Sequence, residues 1–152
     1  MKIAIFAPHP IQYHIPWFQE LSQRAGYDVR VYFASLPDAA KQGTDFGVAF
    51  NWDIPLFEGY AFEVLDNWHK SPGIKGFFSS WVRGLAKVLR KDRPDVVILT
   101  GWQIFPLLQA LFCAFMLRIP RIVRAESNGM KPRGWRVRLV HRLLLPLYNG
   151  YL

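Results

Sequence analysis

The sequence predicts a doubly wound α/β domain built on a parallel sheet, and three observations carry that expectation. Short apolar runs alternate with segments of helical spacing along the whole chain. The runs Ile3-Ala4-Ile5-Phe6-Ala7 and Val96-Val97-Ile98-Leu99 are apolar throughout, as strands covered on both faces are. Most connections are short, and such alternation builds right-handed crossovers between parallel strands. With 152 residues, 51% of them hydrophobic, the chain has the size and core of one domain, residues 1–152.

Each element has its own local reason. The first strand, residues 1–7, is closed by Pro8. Pro16 suits the first turn of a helix in which Trp17, Phe18, Leu21 and Ala25 share a face, and Gly26 ends it. Residues 29–34 form a second strand, followed by a long irregular excursion over 35–60 and a short third strand at 62–65. A Ser71-Pro72-Gly73 turn precedes Phe77, Phe78, Trp81, Val82, Leu85, Val88 and Leu89, which share one face of a helix over 77–91. Arg83, Lys87, Arg90 and Lys91 lie opposite.

Residues 95–99 form the clearest strand, entered through Pro94 and left through Thr100-Gly101. The segment 104–117 is nearly all apolar but shorter than the roughly 20 residues that span a bilayer, so it reads as a buried helix. A fifth strand covers 121–125, a last helix 135–148, and Tyr151-Leu152 begins a sixth strand.

Composition removes several function classes. The first apolar run is too short for a signal peptide and leads into His9-Pro10-Ile11-Gln12 rather than a small-residue cleavage site. One cysteine, Cys113, excludes an internal disulfide framework and a multi-cysteine zinc site, and reads as core filler. The net charge of +8 is unevenly spread: residues 1–117 carry eleven Lys/Arg against ten Asp/Glu. Residues 118–152 carry eight cations against Glu126 alone. Those cations are not interleaved with a stacking platform and no nucleic-acid motif is present, so a nucleic-acid partner is not expected. G-x-G-x-x-G and G-x-x-x-x-G-K-[ST] are both absent, and Asp45-Phe46-Gly47 stands without the other kinase motifs.

In a doubly wound sheet, ligands bind beyond the carboxyl ends of the strands. Residues 8–14 fall there and are the densest in chemistry: His9, Gln12, Tyr13 and His14 stand between a strand and a helix N-terminus, able to hold polar hydroxyls or phosphate. The alternative is that His9 or His14 only hydrogen-bonds the backbone of a turn. They lack the carboxylate or third imidazole that a metal site needs. After the fourth strand, Trp102 offers a stacking face and Gln103 an amide, although Trp102 also fits a partly buried core position. After the fifth, Glu126 can orient a nucleophile or pair with Arg124 or Lys131. Asn128, with Ser127, suits a sugar contact or a helix cap.

Three of these segments carry a resemblance. His9-Pro10-Ile11-Gln12-Tyr13-His14-Ile15-Pro16, Trp52-Asp53-Ile54-Pro55-Leu56 through Gly59-Tyr60, and Arg124-Ala125-Glu126-Ser127-Asn128 resemble the N-terminal domain of family-four retaining glycosyltransferases of the GT-B fold. The similarity runs in order over essentially the whole chain. It implies a Rossmann-like, acceptor-binding lobe of a two-lobed enzyme that moves sugar from a nucleotide sugar to a glycan or lipid-linked acceptor, with no cofactor or metal. Within that frame the strand-end residues make His14 and Glu126 the candidate catalytic groups, and His9, Gln12, Tyr13, Trp102, Gln103 and Asn128 the candidate substrate contacts. The sequence departs from the family in two places: His9, Gln12 and His14 replace loop glycines, and Glu126 stands where a histidine is usual.

The donor-binding domain of that family lies beyond the sequence up to Leu152, so the expectation is a half that needs a C-terminal domain or a second subunit to act. A truncated piece, a split enzyme and a non-catalytic relic all fit. The basic last helix adds Arg136, Arg138 and Arg142 opposite Val137, Val140, Leu144, Leu147 and Tyr148. Such a helix either lies on an anionic membrane surface, making the protein cytoplasmic and peripheral, or packs on the sheet. The competing reading is a glycan- or protein-binding module without chemistry.

Overall fold

The computed structural model describes residues 1–36, 55–69, 76–125 and 134–152. Six strands form one sheet: β1 (Lys2–Ala7), β2 (Asp28–Phe33), β3 (Ala61–Val64), β4 (Val96–Leu99), β5 (Arg121–Val123) and β6 (Gly150–Tyr151). Four helices connect or flank them: α1 (Ile15–Gln23), α2 (Leu85–Asp92), α3 (Phe105–Met116) and α4 (Trp135–Leu144), the last continued by a 3₁₀ turn at Leu145–Leu147. The strand order is β3-β2-β1-β4-β5-β6 and every pairing is parallel. This is the expected Rossmann-like α/β fold.

Side-chain alternation splits the core into two layers. Ile3, Ile5 and Ala7 of β1 join Val29, Val31 and Phe33 of β2 and Val96 and Ile98 of β4 on the face covered by Ile15 and Phe18 of α1. Ala4, Phe6, Tyr32, Val97 and Leu99 point the other way, beneath Leu85 and Leu89 of α2, Leu107, Ala110, Leu111 and Ala114 of α3, and Tyr148. The pairing puts Phe6 between Tyr32 and Leu99, and the Phe6 and Tyr32 rings stack at 4.9 Å. A one-residue slip would turn both layers inside out, so burial on both faces fixes the register.

Three expectations need correction. The helix expected over 77–91 begins only at Leu85. Its first half is captured by longer-range partners: Asn67 accepts from the Trp81 N–H at 2.9 Å and donates to Ser80 Oγ at 2.5 Å. The Gln109 amide bonds both the N–H and the carbonyl of Val82, at 3.0 and 3.1 Å. Backbone groups spent this way cannot serve an i to i−4 ladder, and Gly84 at φ 66° restarts the chain as a helix. Ala25 lies past the end of α1 and is exposed. The apolar segment 104–117 is not buried all round, because Phe112, Phe115 and Met116 face solvent. Among the described residues no helix is long and apolar enough to cross a membrane.

Candidate functional site

The strand order reverses between β1 and β4, where one crossover leaves to each side and the loops after the two strands part. Three backbone ties shape that edge. The Thr100 N–H and Oγ1 both donate to the Phe6 carbonyl, at 3.0 and 3.2 Å, which locks the end of β4 to β1. The Arg124 N–H donates to the Leu99 carbonyl at 2.8 Å, which sets the end of β5 beside them. The His14 N–H donates to the Ile11 carbonyl at 2.8 Å, closing the β1 loop into a tight turn from which α1 starts.

A depression of about 260 Å³ opens at this edge, lined by Pro8, Ile11, Tyr13, His14, Thr100, Gln103 and Arg124. Larger hollows of about 510, 370 and 340 Å³ lie elsewhere, beside Phe115, Arg118 and Arg121, beside Leu89, Pro94 and Ile119, and against Lys2, Asp28 and Asp92. All three sit by the starts of strands, away from the edge where a doubly wound sheet gathers its loops, so the smaller one is the candidate.

His14 is its chemical centre. The side chain is buried, with Tyr13 edge-on at 4.7 Å and Phe18 at 6.0 Å, and its Nδ1 has no hydrogen-bond partner among the described residues. Burial, then the Arg124 guanidinium, then His9 push its pKa down from 6.5 to about 4. The imidazole is therefore neutral near pH 7, with one donor and one acceptor nitrogen and little basicity. Gln103 is exposed and its amide folds over Gly101, whose φ of 133° and lack of Cβ permit that contact. Together the walls present a neutral imidazole, a phenol, a hydroxyl, an amide and one guanidinium. Such a set suits hydrogen bonding to a polyhydroxylated or anionic ligand better than proton abstraction.

Of the residues singled out in the sequence, Tyr13, His14 and Gln103 meet in this depression. His9 lies close enough to depress the pKa of His14 but is not part of the lining, nor is Gln12, whose carbonyl accepts from the Ile15 N–H at 3.3 Å. Trp102 takes its core alternative: it packs against the α2–α3 layer and meets His141 of α4 edge-on at 5.1 Å. Glu126 and Asn128, like Trp52, lie outside the described residues. No three His, Cys, Asp or Glu side chains gather to hold a metal among the described residues.

The sequence reading missed Arg124 as a wall of the site. The available signal is its place at the carboxyl end of a strand, in the Arg124–Asn128 segment that carries the resemblance. Arg124 also lies over the Trp17 ring of α1.

Neither a family model nor a curated protein matches this sequence. The fold is similar to that of the UDP-GlcNAc 2-epimerase from Methanocaldococcus jannaschii, with a TM-score of 0.54 and 15% identity. That likeness covers 100% of this chain and 39% of the epimerase chain. At such identity it is a likeness of fold. The chain thus spans well under half the length of the protein it resembles.

On α4 the arginines behave differently from the apolar residues expected opposite them. Arg138 and Arg142 are exposed, and Arg136 lies in the first turn, its side chain outside those described. Leu144, Leu147 and Tyr148 pack on the core, but Val137 and Val140 are about half exposed. Trp135, Leu139 and Leu143 are exposed as well.

Proposed function

We propose that this lobe is the acceptor-binding half of a GT-B, family-four-like retaining glycosyltransferase, which moves sugar from a nucleotide sugar to a glycan or lipid-linked glycan in the cytoplasm. The observation that carries the reading is the polar depression at the β1/β4 switch point, in a fold similar to that of an enzyme named for a nucleotide sugar. Tyr13, Thr100 and Gln103 hold acceptor hydroxyls, with the neutral imidazole of His14 beside them. Arg124 supplies the positive charge that favours a phosphate on the donor or on a lipid-linked acceptor. Glu126, two residues on, is the group proposed to take up the acceptor proton.

The low basicity of His14 favours binding over base catalysis at that position, and it lends weight to a second reading, a glycan-binding module without chemistry. Both readings are tested by titrating the chain with oligosaccharides and, separately, with UDP-sugars, while following the NMR signals of His14 and the Gln103 amide. Perturbation by a glycan with weak response to UDP-sugar supports the acceptor half. Sugar transfer restored by adding a donor-binding GT-B half distinguishes the enzyme from the module. Tight UDP-sugar binding by this chain alone, or no response to any glycan, overturns the assignment.

A further inference from the structure

The hollow of about 510 Å³ lies at the end of α3 and the starts of β5 and β6, lined by Phe115, Met116, Arg118, Pro120, Arg121 and Asn149. Arg121 opens β5 and Arg124 follows its last residue, so the length of that strand separates this hollow from the depression at His14.

Arg121 sets the hollow apart. It is only 9% exposed, yet it pairs with no carboxylate among the described residues. Its Nε donates to the Leu147 carbonyl at 2.7 Å and its Nη1 to the Ile119 carbonyl at 2.9 Å, both neutral acceptors. The guanidinium carbon lies 5.2 Å from the centre of the Phe115 ring. These contacts fix the fork but leave its charge uncompensated, and its Nη2 has no acceptor among the described residues. A buried cation is normally paired, because removing it from water without a counter-charge is costly.

The remaining polar groups of the lining ask for the same counter-charge. Asn149 spends its Oδ1 on the Arg121 N–H at 3.0 Å, which leaves its amide nitrogen as a donor. Arg118 is exposed and has no carboxylate partner among the described residues. It stands at φ 57°, in the left-handed position after α3 where glycine is the usual residue. No side chain of the lining is acidic, and Phe115, Met116 and Pro120 complete it with apolar surface. Few polar groups set in an apolar wall are the makeup of a small-molecule site.

We propose that this hollow binds a small organic anion, a carboxylate or phosphate monoester carried on an aromatic body. The anionic oxygens accept from Arg121 Nη2, the Arg118 guanidinium and the Asn149 amide, and the ring packs against Phe115, Met116 and Pro120. An inorganic anion would leave the apolar wall unused, and a neutral ring would leave the buried charge uncompensated. The hollow is separate from the depression at His14, so the proposal does not depend on the sugar reading.

The test is NMR titration of the full chain with phenyl phosphate and with phenylacetate, followed at the Arg121 backbone amide. Inorganic phosphate and benzyl alcohol, each lacking one half of the proposed ligand, are the controls. At least one aromatic anion should bind with a Kd at or below about 1 mM, and both controls at least about 10-fold more weakly. Arg118→Gln should weaken the binding about 5-fold or more, whereas Lys87→Gln, outside the lining, should cost less than about 2-fold. Arg121→Gln would also strip the Leu147 and Ile119 carbonyls of their donors, so Asn149→Asp is the decisive variant. It keeps the acceptor for the Arg121 N–H but sets a carboxylate beside the guanidinium. The chain should fold as before, by circular dichroism, and bind the anion at least about 10-fold more weakly. No response to either aromatic anion at about 10 mM overturns the proposal. So does equal binding of inorganic phosphate or benzyl alcohol, or undiminished binding by the folded Asn149→Asp protein.

Discussion

Arg124, at the carboxyl end of β5, lies over the indole of Trp17 in α1, its guanidinium carbon 5.2 Å from the ring centroid. The contact crosses from one strand end to the helix that starts beside β1, and it holds a fixed positive charge near the buried imidazole of His14. That placement adds to burial in keeping the imidazole neutral.

If Arg124 helps to depress the pKa of His14, Arg124→Met should raise it. The rise should stop short of 6.5, because burial is the larger cause and remains. NMR titration of the His14 ring protons in the two proteins measures the difference. An unchanged pKa would show that the guanidinium does not act on the imidazole.

The same pKa makes stability depend on acidity in a definite direction. The folded chain refuses a proton at His14 until about pH 4, whereas unfolded histidine takes one near 6.5. Stability is therefore full above about pH 6.5 and falls as the pH drops toward 4, by a loss on the order of 2 kcal/mol after allowance for partial solvent screening. His14→Gln should flatten that part of the profile, as urea unfolding at about pH 7 and about pH 4.5 would register.

Gly101 should not accept a side chain. Its φ of 133° strains any L residue, and a Cβ would collide with the Gln103 amide that folds over it. Gly101→Ala should cost about 1–3 kcal/mol in urea unfolding and displace Gln103 from the depression. The displacement is visible as a shift of the Gln103 side-chain amide signals.

Gln109→Leu should destabilise the protein by about 1–3 kcal/mol, because it strips both partners from the backbone of Val82, which is buried. Hydrogen exchange at the Val82 amide should speed up, while amides in the centre of β1 change little. An unaltered exchange rate at Val82 would mean that another group satisfies it.

Much of this molecule was legible in the sequence because its signals are local. The all-apolar runs at β1 and β4 state that both faces are covered, Pro16 and Gly26 bracket α1, and the alternation of elements specifies a parallel, doubly wound sheet. The position of His14 and Gln103 at strand ends followed from that topology alone.

The tertiary structure decided whatever depends on partners distant in the chain. Helical spacing at residues 77–82 is overruled by Asn67 and Gln109, which reach across 14 and 27 positions to take the backbone groups a helix would use. Arg124 becomes a wall of the site only because β5 lies next to β4, and Trp102 turns to the core because α4 brings His141 against it. Periodicity says that a helix has two faces, but only packing chooses which one the sheet covers. That is why Trp135, Leu139 and Leu143 look outward from α4 along with Arg138 and Arg142.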